Sequence, residues 1–263
     1  MTTAASAPDE DAVVGRLRAA GCVFAEDEAR LLVAEAGSPA RLEALVRRRV
    51  SGEPLEQVLG WAEFCGLRIA LAPGVFVPRR RTELLVEQAV ALAPPRAAVV
   101  VDLCCGSGAV AAVLGTRLDD AEVHASDVDP AAVACARRNL PRASVHTGDL
   151  FDALPTELLG RVDVLVANVP YVPSDAIALM PPEARDHEPR TALDGGRDGL
   201  DVARRVAAGA GDWLAAGGSL LFEVGDAQVA AATAVVAAAG LLPRVAADEE
   251  TGATVVIGTR SPS

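Results

Sequence analysis

Residues 99–111 read VVVDLCCGSGAVA and combine an apolar run, a carboxylate, two glycines and the beginning of a small-residue helix. The pattern predicts a buried strand that ends at Asp102, a tight turn at Gly106 and Gly108, and a helix directly afterwards. Glycine suits such a turn because a side chain would block the approach of a ligand to the backbone. The spacing Gly106-x-Gly108-x-x-Ala111 also matches the dinucleotide-binding fingerprint, so the glycines alone do not identify the ligand. Asp102 favours an ammonium group at the strand end, since a carboxylate would repel a pyrophosphate.

The segments around this turn alternate between strand and helix patterns from about Arg79 onward. Apolar runs of strand length are AAVVVDL, AEVHASD, ASVHT, VDVLVA, GSLLFEVG and ATVVIGT. Helical spacing occurs in RTELLVEQAVAL, GAVAAVLGTRL, DPAAVACARRNL, DGLDVARRVAAGAGDWLA and DAQVAAATAVVAAAG. In the third of these, Asp129 is the expected N-cap and Pro130 the first helical residue. Alternation of this kind predicts an α/β fold, with a mostly parallel sheet and helices on both faces.

The N-terminal part of the chain has a different pattern. Between Asp9 and about Arg49, apolar residues recur every three or four positions, which predicts a small helical bundle. The stretch EPLEQVLGWAEFCGLRIALAPGVFVP then breaks this period, and its Pro73-Gly74 pair predicts a hairpin or an extended connector. We therefore expect a helical domain at residues 1–60, a hairpin connector at 61–78 and an α/β domain at 79–263.

The composition limits the classes of function. The chain has 263 residues, a net charge of −12 and no lysine. Basic groups supply most non-specific affinity for nucleic acid, so we expect no direct nucleic-acid partner. The apolar runs are too short to span a membrane and the acidic N-terminus does not resemble an export signal, which predicts a soluble, cytoplasmic protein without membrane contact. Five cysteines without paired spacing indicate reduced thiols, with neither disulfides nor a metal site.

Two further carboxylates follow the next two predicted strands. Asp127 ends VHASD and could hold both ribose hydroxyls of a nucleoside, one with each oxygen. Asp149, in HTGDLF, could accept a hydrogen bond from an adenine amino group. A single aspartate at a strand end is more often a cap or a solvated turn residue. Three in succession at one edge of a sheet, beside the glycine turn, favour a nucleoside ligand.

Together these segments resemble the class I methyltransferases that use S-adenosylmethionine, and more narrowly the HemK/PrmC family of protein N(5)-glutamine methyltransferases. GEPLEQVLGWAEFCGL is similar to the connector of that family, FVPRRRTE to its Pro-Arg-x-x-Thr-Glu segment and DLCCGSGAVA to its cofactor loop. NVPY, at residues 168–171, resembles its Asn-Pro-Pro-Tyr signature, and EPRTALDGGRDGL resembles the segment that follows the signature. The signature alone is shared with methyltransferases of DNA and small molecules, so it indicates a planar nitrogen acceptor rather than one substrate.

The resemblance implies a Rossmann-like fold with a seven-stranded sheet, S-adenosylmethionine as cofactor and a protein substrate. The implied acceptor is the glutamine of the Gly-Gly-Gln loop in peptide-chain release factors, and the Thr82-Glu83 match favours it over a ribosomal protein. The N-terminal helices are expected to help hold that protein. The residues implied in cofactor binding are Asp102, Cys104, Gly106, Gly108, Asp127, Asp149 and Asn168.

The NVPY segment would then align the acceptor. An amide nitrogen is a poor nucleophile, so the enzyme needs alignment more than a strong base. By the resemblance, the Asn168 side-chain oxygen and the Val169 carbonyl accept hydrogen bonds from the substrate NH2 and favour the charge that develops on its nitrogen. Pro170 fixes the turn, and the Tyr171 ring packs against the planar amide.

The sequence departs from the family pattern at several positions. Val169 replaces a proline, which keeps the carbonyl but removes one rigid φ angle, so either reduced preorganisation or a different substrate is expected. Arg80 and Arg81 replace Pro-Asp, and we interpret them as a solvated helix entrance with Thr82 as a possible cap. The thiols of Cys104 and Cys105 have no histidine partner apparent in the sequence, so small size explains them better than nucleophilic catalysis.

Other functions share part of this pattern. A nicotinamide-dependent dehydrogenase would use the glycine turn and Asp127 but gives no reason for Asp102 or NVPY. A DNA adenine methyltransferase would use NVPY but needs a basic recognition region. Methylation of a glutamine in a ribosomal or other protein, and a degenerate member that binds cofactor or partner without turnover, also remain open.

Overall fold

The computed structural model describes residues 10–262, so residues 1–9 of the expected helical domain and Ser263 lie outside the described part. The strands are β1 (Trp61–Phe64), β2 (Leu67–Ala70), β3 (Val99–Leu103), β4 (Glu122–Asp127), β5 (Ser144–Thr147), β6 (Val162–Ala167), β7 (Leu214–Glu223), β8 (Leu242–Asp248) and β9 (Ala253–Thr259). The helices are α1 (Glu10–Ala19), α2 (Ala25–Ala36), α3 (Pro39–Val50), α4 (Leu55–Leu59), α5 (Glu83–Leu92), α6 (Ala109–Arg117), α7 (Pro130–Asn139), α8 (Pro182–His187), α9 (Arg190–Leu193), α10 (Asp201–Trp213) and α11 (Val229–Ala238).

Strands β3 to β9 form one seven-stranded sheet in the order β5-β4-β3-β6-β7-β9-β8. Neighbours from β5 to β7 are parallel, whereas β9 runs antiparallel to both β7 and β8. Helices α5, α6 and α7 pack into a hydrophobic cluster on one face, and α10 and α11 into a second cluster on the other. The predicted Rossmann-like α/β class is confirmed.

The central strands are buried along their whole length, as expected for parallel strands covered on both faces. β6 nevertheless contains Asp163, which is 7% exposed. Its carboxylate accepts a hydrogen bond from the Val99 amide and pairs with Arg96 through two oxygens, at 3.0 and 2.6 Å. These partners lie at the amino end of the strand and compensate the buried charge.

Helices α1 to α4 form a separate hydrophobic cluster on the N-terminal side of the β1–β2 hairpin. The buried Arg49 of α3 ties this bundle to the rest of the chain. Its guanidinium pairs with Glu28 of α2 at 2.6 Å and with Glu183 of α8 at 2.7 Å. One cation therefore holds two carboxylates that are far apart in sequence.

The structure adds two local details that the sequence patterns did not give. The predicted connector contains a hairpin that turns at Cys65 and Gly66, both with positive φ (50° and 78°) as a two-residue type I′ turn requires, whereas Pro73-Gly74 lies in the segment that follows β2. The outer strand β8 carries no predicted strand pattern, because most of its side chains are exposed at the edge of the sheet and its apolar residues do not alternate. Its antiparallel pairing with β9 is what makes it a strand.

Candidate active site

Side chains from four parallel strands meet at the carboxyl edge of the sheet. The chain order reverses between β3 and β6, and crevices at such a switch point are the usual ligand sites of open α/β sheets. A cavity here, called the first cavity, is lined by Asp102, Cys104, Gly106, Asp127, Asp149 and Asn168 among others. Six of the seven predicted cofactor residues are thus brought together, and Gly108 is the exception.

Asp102 lies at the base of the first cavity and is 1% exposed. One carboxylate oxygen accepts a hydrogen bond from the Ala111 amide, in the first turn of α6, at 3.1 Å. Burial, reinforced by the charge of Asp127 and opposed by the Ala111 hydrogen bond, raises the Asp102 pKa to about 7. A buried carboxylate with a single backbone donor is suited to a cationic partner.

Asp127 shapes the glycine turn as well as the cavity. Its two oxygens accept hydrogen bonds from the backbone amides of Gly106 and Asp129, each at 2.9 Å. Burial raises its pKa, and these amides oppose the shift. Each oxygen keeps a free lone pair, so the carboxylate can still accept from a hydroxyl group.

The remaining predicted residues of the turn have different surroundings. Gly106 has φ +55°, and a Cβ added there would meet no atom within 4 Å, which leaves the backbone open to a ligand. A Cβ on Gly108 would lie 2.8 Å from the Leu140 side chain, so helix packing and a φ of +76° explain that glycine rather than ligand approach. Cys104 also has positive φ (55°), and burial raises the pKa of its thiol, which argues against a thiolate nucleophile.

Asp149 is exposed at the rim of the first cavity, two residues after β5. Its carboxylate pairs with Arg205 of α10 at 2.7 Å. Both residues line the cavity, so the ion pair forms part of its outer wall. One oxygen of Asp149 is free of this contact and remains available as an acceptor.

The NVPY loop separates the first cavity from a second one. The second cavity is lined by Pro54, Glu56, Phe76, Arg79, Arg81, Asn168, Val169, Tyr171, Val172, Met180, Pro181, Glu183, Ala184, Ala192 and Leu193. Asn168, Phe76 and Ala192 line both cavities and form their shared wall. Neither the Asn168 side chain nor the Val169 carbonyl has a hydrogen-bond partner within residues 10–262. Both acceptors are therefore free for a ligand.

Tyr171 is anchored by a buried carboxylate at the end of β7. Its hydroxyl donates to Glu223 at 2.8 Å, and the other Glu223 oxygen accepts from the Thr82 hydroxyl at 2.8 Å. Arg81 Nε lies 2.9 Å from Glu223. We interpreted Arg80 and Arg81 as a solvated helix entrance. This holds for the exposed Arg80 but is wrong for Arg81, which pairs with Glu223. Thr82 is buried and donates to Glu223, and its side chain makes no capping hydrogen bond.

A second carboxylate, Glu188, fixes the segment before Thr82. Its Oε1 accepts from the Val77 amide at 3.2 Å and from Arg79 at 2.6 Å. The Arg79 guanidinium in turn lies 5.1 Å from the centre of the Phe76 ring. This contact places an arginine and an aromatic ring on the wall of the second cavity.

Sequence reasoning missed three of these residues: Glu223, Glu188 and Phe76. For Glu223 a signal was present, since it ends an apolar run, LLFE, just as Asp102 ends VVVD. Phe76 carries no such signal. Within residues 10–262 no cluster of histidine, cysteine and carboxylate side chains has the arrangement of a metal site, and no helix is long and apolar enough to span a membrane.

Comparison with known proteins assigns this architecture to the methyltransferases. The family model of the methyltransferase small domain matches residues 66–180. A release factor glutamine methyltransferase from Geobacter sulfurreducens is 38% identical over 225 residues, covering 84% of this chain and 78% of that protein. A 4-amino-L-phenylalanine/4-methylamino-L-phenylalanine methyltransferase from Streptomyces pristinaespiralis is 40% identical and covers 77% of this chain and 71% of that protein.

The fold has counterparts among solved structures. A methyltransferase from Pyrococcus furiosus superposes with a TM-score of 0.57 at 16% identity, covering 82% of this chain and 97% of that chain. At this identity the likeness concerns the fold alone.

Proposed function

The chain belongs to the family of release factor glutamine methyltransferases, and from this membership we propose that it methylates the glutamine of the Gly-Gly-Gln loop in peptide-chain release factors. The acceptor is the side-chain amide nitrogen, and S-adenosylmethionine is the methyl donor. The observation that carries the proposal is the pair of free acceptors, on Asn168 and Val169, in the loop between the two cavities.

The carboxylates that line the first cavity support this assignment of the cofactor. Asp102 would accept from the ammonium group of S-adenosylmethionine, Asp127 from its ribose hydroxyls and Asp149 from its adenine amino group. Gly106 leaves room for the ligand, and Cys104 adds a small side chain to the wall. When bound, S-adenosylmethionine supplies an activated methyl group.

The second cavity would receive the glutamine. The Asn168 side-chain oxygen and the Val169 carbonyl accept hydrogen bonds from its NH2 group and direct the nitrogen lone pair towards the shared wall. The same two oxygens stabilise positive charge as it develops on that nitrogen. Pro170 restricts the loop backbone, and Tyr171 presents its ring to the planar amide. The departing proton passes to water.

We assign the helical domain, residues 1–60, to binding of the protein substrate, with 61–78 as connector and 79–263 as the catalytic domain. Arg49 supports this division of labour, because it joins the helical bundle to Glu183 on the wall of the second cavity. A substrate held on the bundle is thereby next to the acceptor loop.

Tandem mass spectrometry of release factor incubated with the protein and S-adenosylmethionine tests the proposal. We expect one added methyl group on the Gly-Gly-Gln glutamine. Asn168→Ala removes one acceptor and should lower kcat by about 10²–10³-fold, while cofactor affinity changes little. Asn168→Asp keeps an acceptor oxygen at the same place and should lower kcat less than Asn168→Ala does. An unmodified glutamine with the wild-type protein, cofactor being bound, would contradict the assignment.

A second candidate is N-methylation of an arylamine on a free amino acid, as the Streptomyces pristinaespiralis relative is named for. Two observations favour it: Val169 in place of the family proline, and the charged wall of the second cavity, where Arg79 and Glu56 could face a carboxylate and an ammonium group. Incubation with 4-amino-L-phenylalanine beside release factor separates the two. Turnover of the amino acid alone would favour the second candidate.

A further inference from the structure

Glu223 is a buried charged group that contacts the acceptor loop. It is 1% exposed, ends β7 and touches neither cavity. Its carboxylate contacts Tyr171 of the loop and Thr82 and Arg81 of the segment before α5. Three stretches of chain that are distant in sequence therefore meet at one side chain.

These partners compensate the buried carboxylate. The Thr82 and Tyr171 hydroxyls donate hydrogen bonds to it, and the Arg81 guanidinium forms an ion pair with it. Arg81 is itself held by a hydrogen bond from Nη2 to the Gly252 carbonyl at 2.9 Å. The Thr82 and Tyr171 hydroxyls must both act as donors, because an ionised carboxylate can only accept.

The Tyr171 hydroxyl is consequently engaged away from the substrate. Burial and the charge of Glu223 raise its pKa far above the usual range, and Arg81 and Arg79 oppose the shift. The phenol is therefore suited neither to remove a proton nor to donate to the acceptor amide. Tyr171 lines the second cavity, and the Glu223 hydrogen bond restricts the orientation of its ring.

We propose that Glu223 is a positioning residue for methyl transfer, which acts by holding the Tyr171 ring against the acceptor in the second cavity. The inference rests on the function proposed above. A misplacement of about 1 Å at a reacting group can lower a rate about 10²-fold. Loss of the one hydrogen bond that holds the ring is therefore sufficient to lower the rate of methyl transfer.

The chain offers a direct probe of this contact because Tyr171 is its only tyrosine. The near-ultraviolet absorbance of tyrosinate therefore reports one residue, and circular dichroism confirms the fold over the same pH range. At about pH 11 an ordinary phenol, with a pKa of about 10, is mostly ionised, whereas Tyr171 of the wild type should remain protonated. Glu223→Gln keeps the size of the side chain but removes the charge, and should lower the titration midpoint by about one pH unit.

Kinetics on the intact enzyme complete the experiment. Glu223→Gln and Tyr171→Phe should each lower kcat about tenfold or more, leave the Kd for S-adenosylmethionine within about twofold, and combine without a further loss because both break one contact. Asp163→Asn is the matched control, since it neutralises another buried strand carboxylate at the opposite end of the sheet. It should change neither the tyrosine titration nor kcat.

The outcomes are distinct. An unchanged titration in Glu223→Gln, or an active wild type whose kcat survives both substitutions, would overturn the positioning role. Additive losses in the double variant would also contradict it. A wild type that methylates no release factor, although its tyrosine titrates as expected, would instead refute the proposed function.

Discussion

Cofactor affinity should depend on pH through Asp102. This carboxyl is 1% exposed and has a pKa raised to about 7 by burial and by the nearby charge of Asp127. Only its ionised form can neutralise an ammonium group in the first cavity. At pH 8, one unit above the pKa, about ten elevenths of the protein carries the anion, and at pH 6 about one eleventh does. The affinity for S-adenosylmethionine should therefore fall about tenfold between pH 8 and pH 6, which is about 1.4 kcal/mol.

The same shift has a consequence for the protein without ligand. The pKa of Asp102 is higher in the folded than in the unfolded chain, where it is about 3.9, so the folded state binds this proton more tightly. The stabilisation is complete below the unfolded pKa and is lost as the pH rises towards 7. A difference of about three pKa units between the folded and unfolded chain corresponds to about 4 kcal/mol in the free energy of unfolding. A bound ammonium group offsets this loss, so the rise in Tm on adding cofactor should be larger at pH 8 than at pH 6.

Isothermal titration calorimetry at the two pH values measures the effect. Asp102→Asn should bind more weakly and show only the pH dependence that the ligand itself contributes. Asp163→Asn, a substitution at the other end of the sheet, should keep the wild-type dependence. Equal wild-type affinity at both pH values would refute the role of Asp102, as would a tenfold change that persists in Asp102→Asn.

Three other substitutions test separate features. Val169→Pro removes an amide that has no hydrogen-bond partner within the described residues and should raise kcat about two- to fivefold by preorganising the loop. An unchanged rate on every acceptor substrate would exclude the idea that Val169 reduces the preorganisation of the loop. Arg49→Leu leaves two carboxylates without their buried partner and should lower the free energy of unfolding in urea by about 3–5 kcal/mol. Arg16→Leu, at an exposed ion pair, should lower it by less than about 1 kcal/mol. Similar losses in the two variants would contradict this expectation. Gly108→Ala places a Cβ 2.8 Å from Leu140 at positive φ and should cost about 1–3 kcal/mol in the same urea measurement.

Sequence periodicity predicted the buried strands well because burial on both faces leaves only apolar choices. VDVLVA and ATVVIGT coincide with β6 and β9 to the residue. β8 was missed because an outer strand is stabilised by pairing with its neighbour, and its exposed side chains carry little pattern. The position of the hairpin turn within the predicted connector stayed open because Pro73-Gly74 and Cys65-Gly66 both permit a turn, and only the pairing of β1 with β2 decides between them.

The residues of the candidate site also divide into those that the sequence could reveal and those that it could not. Asp102, Asp127 and Asp149 could be found because each follows a recognisable strand, and the parallel sheet brings such ends together. The contacts around Tyr171 could not be predicted, because Thr82 and Glu223 are 141 positions apart and no local pattern indicates their hydrogen bond. The role of Gly108 was missed because the side chain that excludes a Cβ, Leu140, belongs to a distant residue that follows α7.

The two cavities share a wall formed by Asn168, Phe76 and Ala192, and this shared wall can be used in inhibitor design. Two weak ligands, one in each cavity, could be joined across it into one bisubstrate molecule with a short tether. Binding of one half would then present the other at an effective concentration in the millimolar range, so the combined affinity can exceed either half by about 10²–10⁴-fold without any new contact. Selectivity over other methyltransferases would come from the half in the second cavity, because the nucleoside half occupies a site that they have in common.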